Sequence, residues 1–208
     1  VTHAKMLNFG RMLADGVQLN EDVVSVASIL SSVLAAVQEQ ARRRNIAIEV
    51  MNNLPAPLQM RVDSALLSQA LKAVIENAVK FSTRGSNVTV TLYLNASRDL
   101  FIAIDDTSNG LSRSLVDDIM GTGATAPSAG IDGVERATGL KMSRVLFEAH
   151  QGGLVVHSMT GEGTRVELRL PAARLTTDAN QVIDQNQSNL VGSLRGTRSS
   201  LDGPATYQ

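Results

Sequence analysis

The chain has 208 residues, with 19 Lys and Arg against 20 Asp and Glu and a formal net charge of −1. That balance argues against nucleic acid as a main partner, because neutralising phosphates needs a basic surface. Cysteine is absent, which excludes disulfides and thiolate metal sites, and aromatic residues make up only 3% of the chain, so its core must be aliphatic.

Residues 4–15, AKMLNFGRMLAD, place Met6, Phe9 and Leu13 at the spacing of an amphipathic helix. After a break at Gly16, Asn20 or Asp22 is positioned to cap a second helix over roughly 23–44. Val26, Ile29, Leu30, Val33, Leu34 and Val37 form its buried stripe, and Arg42–Arg44 its basic end. IAIEVM, 46–51, alternates as a strand, and NNLPAPL turns the chain. Asp63 stands at the N-cap of a third helix, SALLSQALKAVIENAVKFS, whose inward side is Leu66, Leu67, Ala70, Leu71, Val74 and Ala78.

NVTVTLYLN, 87–95, is a half-buried strand, and LFIAID, 100–105, is another. A long small-residue segment over about 107–136 holds at most a short helix near 112–120. The spacing then predicts a helix over 139–150 and two strands, LVVHS and TRVELRL, joined as a hairpin through MTGEG. The expected fold class is therefore α+β: a two-layer sandwich with helices on one face of a mixed, mostly antiparallel sheet. Residues 172–208 are rich in Asn, Gln, Ser, Thr and Gly and read as a polar tail or linker.

Three stretches could carry chemistry. In VIENAVKFS, Asn77 and Lys80 share a helix face, where an amide oxygen can ligate Mg²⁺ and an ammonium can meet phosphate. The same residues also suit the wet side of an amphipathic helix. In IDDTSNGLS a strand delivers a carboxylate to the rim of the sheet, where it could accept a hydrogen bond from an exocyclic amine or simply shape a turn. In GVERATGLKM, Thr138-Gly139-Leu140 could offer backbone N–H groups to phosphate at a helix start, or Thr138 could serve as an ordinary cap.

The order of these elements resembles the ATP-binding catalytic domain of sensor histidine kinases, in the GHKL ATPase superfamily. The resembling features run from E-N-A-x-K-F-S through D-x-x-x-G, T-G-L at a helix start and E-A-H-x-G-G to G-E-G-T and a strand ending in L-P. The resemblance covers about residues 5–171. It implies a Bergerat-type fold, with ATP and Mg²⁺ as cofactors. Residue by residue, it implies that Asn77 holds the metal, Lys80 contacts phosphate, Asp106 reads adenine and Gly110 closes the first glycine box. Gly139 and Leu140 match the end of the second box, with Thr138 beside them, while Asp105 and Phe81 fall at supporting positions. It also divides the chain into the end of a dimerisation helix and linker over 1–20, a catalytic domain over 21–171 and the tail over 172–208.

Four departures stand against this pattern. Ser108 replaces the middle glycine of the first box, and Glu135 and Ala137 replace the first two glycines of the second. Ala73 stands where an Asn is usual, and also where hydrolytic relatives such as DNA gyrase carry a general-base Glu, so steady hydrolysis is not expected. The lid offers only Met120 in place of a phenylalanine motif. Lost glycines restrict backbone approach to phosphate, and Glu135 adds a like charge beside it.

Two functions are therefore expected as alternatives. The first is Mg·ATP binding for phosphoryl transfer to a histidine on upstream dimerisation helices. The second is a degenerate kinase-like scaffold that docks a signalling partner with weak or no ATP binding. His3 is followed by Ala4 and Lys5 rather than an acidic residue, and His150 and His157 suit a helix cap and a strand, so the acceptor is expected upstream. The implied partners are a response regulator or partner kinase and a second copy of the chain through the upstream helices. The chain opens on Val1 and has no apolar run of membrane-helix length, so the expectation is a cytoplasmic piece of a longer protein whose anchor, if any, lies upstream.

Overall fold

A computed structural model describes residues 17–55, 57–122 and 131–176. The helix expected over 4–15, residues 123–130 of the expected lid-like segment and the tail from 177 onward lie outside the described residues. The described residues up to Leu175 belong to one compact unit.

β1 (Asp22–Ser25) and β3 (Gln59–Val62) pair antiparallel, from Asp22 opposite Val62 to Ser25 opposite Gln59. Sequence periodicity does not reveal either strand. Their pairing takes up the residues expected to begin the first described helix, so α1 (Val26–Arg44) starts at Val26. Neither Asn20 nor Asp22 caps it, and Ser25 stands at the N-cap without a side-chain hydrogen bond.

The main sheet runs in the order β2 (Ala47–Asn52), β4 (Asn87–Leu94), β5 (Leu100–Asp106), β7 (Gly163–Leu170), β6 (Gly153–Met159). β2 and β4 are parallel and every other pair is antiparallel. Alternation sends Val88, Val90 and Leu92, then Leu100, Ile102 and Ile104, then Val166, Leu168 and Leu170 to one buried face. α2 (Ser64–Phe81) packs against both α1 and α4 (Ile131–Ala149), and α3 (Arg113–Met120) packs on α4. The expected α+β two-layer sandwich is the fold observed. Burying each large aliphatic side chain contributes roughly 1.5–3 kcal/mol. The opposite face stays partly solvated and carries a stacked Tyr93–Phe101 pair, 5.2 Å between centroids. Beside it, Asp105 accepts two bonds from Arg165, at 2.9 and 2.8 Å.

Two buried polar residues fix where α2 begins. Asp63 caps it as expected, its Oδ1 accepting from the Leu66 N–H at 3.0 Å and its Oδ2 from the Asn20 N–H at 2.9 Å. The Asp63 N–H in turn donates to His150 Nε2 at 3.0 Å, while His150 Nδ1 lies 2.7 Å from the Leu146 carbonyl. An accepting Nε2 leaves the proton on Nδ1, so His150 is neutral and joins the end of α4 to the start of α2. Ordered contacts continue just past Pro171, where the sequence reading begins the tail. The Ala172 N–H donates to Asp99 and Arg174 bonds to Glu21 and to the Arg61 carbonyl. Among the described residues no helix is long and apolar enough to cross a membrane.

Candidate functional site

The C-terminal half of α2 presents Asn77, Lys80 and Phe81 toward the loop that follows β5. A bridge between Ser82 and Ser108 ties the end of the helix to that loop. Two glycines then bring the β6–β7 turn against it. Gly110 has φ +69°, and a Cβ there would lie 2.0 Å from the Met159 carbonyl oxygen. Gly163 has φ +90°, and its Cβ would lie 2.3 Å from the Asp106 carbonyl oxygen. Both positions therefore need glycine for backbone conformation and for close approach.

The second glycine-box stretch departs most from expectation. The helix predicted from residue 139 begins at Ile131, so GVERATGL forms about two turns of α4 instead of a loop. Thr138 is not an N-cap: its Oγ1 donates to the Val134 carbonyl at 2.8 Å, one turn back. The N–H groups of Thr138, Gly139 and Leu140 lie inside the helix, where each is directed at a carbonyl four residues earlier. Gly139 serves packing, since a Cβ there would sit 2.9 Å from Asn77 Nδ2. The helix extends backward because Arg136 continues the inward stripe of Leu140, Ser143 and Phe147, at helical spacing.

Arg136 is the residue that sequence reasoning missed. Its Nη2 donates to Asp106 Oδ2 at 2.9 Å, to Thr164 Oγ1 at 2.9 Å and to Ser108 Oγ at 3.1 Å. The two charged side chains are 6% and 4% exposed. The remaining carboxylate oxygen of Asp106 accepts from the backbone N–H groups of Ser108 and Thr164. The guanidinium carbon lies 5.0 Å from the centroid of Phe81, over its ring. Burial pulls the Arg136 pKa below its ordinary value, and the Asp106 charge opposes that shift. One residue earlier, Glu135 pairs with Lys80 at 2.5 Å, in a far more exposed setting. Asn77 Nδ2 reaches the Arg136 carbonyl at 3.4 Å. Asn77, Lys80 and Asp106 thus converge, and each touches Glu135 or Arg136. A sequence signal for Arg136 existed: a single Arg stands on an otherwise core-facing helical stripe.

α3 is latched to α4 as well. Ser112 caps it, Lys141 Nζ pairs with Asp118 at 2.8 Å, and the Arg144 guanidinium bonds to the Met120 carbonyl. The chemistry of the cleft suits a metal–nucleotide in kind: an acceptor carboxylate, an ammonium and a side-chain amide. Among the described residues no cluster of three His, Asp or Glu could hold a metal ion. A Mg²⁺ ion here would take Asn77 as protein ligand and depend on phosphate oxygens for the rest.

Residues 62–174, more than half of the chain, match the family described as histidine kinase-, DNA gyrase B- and HSP90-like ATPases. The cell-division control histidine kinase PdhS of Brucella abortus is 25% identical over 189 residues, covering 83% of this chain and 18% of that protein. The chain therefore spans less than a fifth of the length of the curated relatives it matches. Among solved structures, the mycobacterial sensor histidine kinase MprB superposes with a TM-score of 0.59 at 25% identity, over 73% of this chain and 97% of that one. Full-length ShkA in complex with AMPPNP gives a TM-score of 0.67 at 23% identity, over 80% of this chain and 34% of that one.

Proposed function

Because the chain belongs to the histidine kinase-, DNA gyrase B- and HSP90-like ATPase family, we propose that it serves as the ATP-binding catalytic domain of a sensor histidine kinase. The observation that carries this reading is the meeting of Asn77, Lys80 and Asp106 around the two consecutive residues Glu135 and Arg136. Asp106 accepts the exocyclic amine of adenine, with Gly110 and Ser108 shaping the loop that holds its carboxylate. Lys80 neutralises phosphate charge, and the Asn77 amide oxygen holds Mg²⁺. Bound there, the metal supplies charge neutralisation at the transferring phosphoryl group. Thr138, Gly139 and Leu140 contribute N–H groups to phosphate once the start of α4 opens.

The domain's work is positioning and electrostatics. Ala73, one turn before Asn77, has no carboxylate to activate water, which favours transfer over hydrolysis. His150 is fully buried with both ring nitrogens engaged, so it is no acceptor. The phosphoacceptor is a histidine outside this domain, on dimerisation helices shared with a second copy, and a response regulator or partner kinase follows in the relay.

Calorimetric titration with Mg·AMPPNP tests the reading. Asn77→Ala weakens binding at least tenfold and removes its dependence on Mg²⁺. Binding indifferent both to that substitution and to chelation of Mg²⁺ contradicts it.

A further inference from the structure

Building on the nucleotide reading of this site, we propose that Glu135 and Arg136 are its built-in occupants, closing it until the first two turns of α4 unwind. A guanidinium is flat and carries N–H donors along its edge, much as an aminopurine does. Arg136 places one such nitrogen on Asp106 and lies over the Phe81 ring. Glu135 places a carboxylate on the Lys80 ammonium, where a phosphate oxygen would otherwise sit. One dipeptide thus satisfies both the base-reading and the phosphate-reading side chains.

The segment is built to let go. Between Gly133 and Thr138 only Arg136 and Ala137 are buried, so the methyl group of Ala137 is the one buried apolar anchor of that stretch, ahead of Leu140. Residues 133–138 are therefore held by that single methyl group and by the polar cluster around Arg136 Nη2. Thr138 and Gly139 are poor helix formers side by side, which places the point of fraying at the end of those turns. The occupant is also imperfect. Arg136 Nε is buried without a hydrogen-bond partner among the described residues, which opposes the closed arrangement. Glu135 must leave with the helix, since its charge would repel phosphates held by Lys80. A site that is open only part of the time binds with an apparent affinity reduced by its open fraction.

The test is titration of the chain with Mg·AMPPNP, with amide hydrogen exchange followed over 133–138. Arg136→Gln tightens binding at least tenfold over the unmodified chain. Saturating nucleotide removes exchange protection from 133–138 in the unmodified chain. Glu135→Gly with Ala137→Gly, which leaves Arg136 and Asp106 in place, loosens the same turns and tightens binding likewise. It carries the test if Arg136→Gln does not fold. Equal, measurable affinity in the unmodified chain and the variants overturns the occupant while leaving the nucleotide reading intact. Absence of binding in folded variants as well as the unmodified chain overturns both.

Discussion

Arg136 and Asp106 form an ion pair at 2.9 Å whose two side chains are almost wholly withdrawn from water. Thirty positions separate them in sequence. Such a pair is costly to bury but more costly to break, because one unpaired charge remains. Arg136→Ala is therefore expected to destabilise the domain by about 3–5 kcal/mol. Chemical denaturation measures the loss. Adding Asp106→Asn restores part of it, so the two changes are not additive.

Gly110→Ala and Gly163→Ala each combine a positive φ with a Cβ driven into a backbone carbonyl. Each costs roughly 2–5 kcal/mol, from conformational strain and overpacking together. Thermal melts read the loss. Gly161→Ala, at φ +90° with nothing within 4 Å of the added Cβ, isolates the conformational cost, and Gly153→Ala, equally open, isolates the general cost of replacing a glycine.

Acid should unfold the domain through Asp63 and Asp99. Burial raises the Asp63 pKa, but hydrogen bonds from the backbone of Leu66, Asn20 and Ala65 more than reverse it and hold it below its ordinary 3.8. Asp99 is lowered first by the Ala172 N–H and then, against burial, by Arg169 and Asn95. A depressed carboxyl contributes stability above its unfolded pKa and loses it as pH falls through the folded one. Denaturation midpoints should thus fall as pH drops below about 3.8, with Asp63→Asn flattening that limb.

His150→Leu keeps the volume apolar but leaves the Asp63 N–H without its acceptor. A buried unpartnered donor costs about 1–3 kcal/mol. Equilibrium unfolding checks this, and Mg·AMPPNP affinity should stay within twofold, because His150 lies outside the nucleotide cleft.

Much of the fold was legible in the chain. Val88, Val90 and Leu92 alternate with threonines, and α2 shows its cap at Asp63 and its stripe from Leu67 to Ala78. These signals are local, since a period of two or 3.6 residues depends only on near neighbours. β1 and β3 escaped because four-residue strands carry too little alternation to register, and their pairing then displaced the expected start of α1. The placement of Thr138 failed for a similar reason. Thr before Gly is a sound cap signal, and the inward packing of Arg136 and Ala137 outweighs it.

The residue types of the cleft were likewise readable: an amide and an ammonium three apart on one helix, and a carboxylate at a strand end. That order of elements resembles the family, and the match over residues 62–174 establishes membership. What they touch was not readable, because Asp106, Ser108, Thr164 and Arg136 come from three separate parts of the chain. The packing of α4 beside α2 and the β6–β7 turn brings them within hydrogen-bond reach. Sequence thus determined the fold class and the chemical inventory through local periodicity and spacing. The tertiary structure alone decided that Glu135, expected as an intruder beside phosphate, is the partner of Lys80, and that Arg136 holds Asp106. Ion pairing depends on distance and burial in space, which spacing along a chain does not encode.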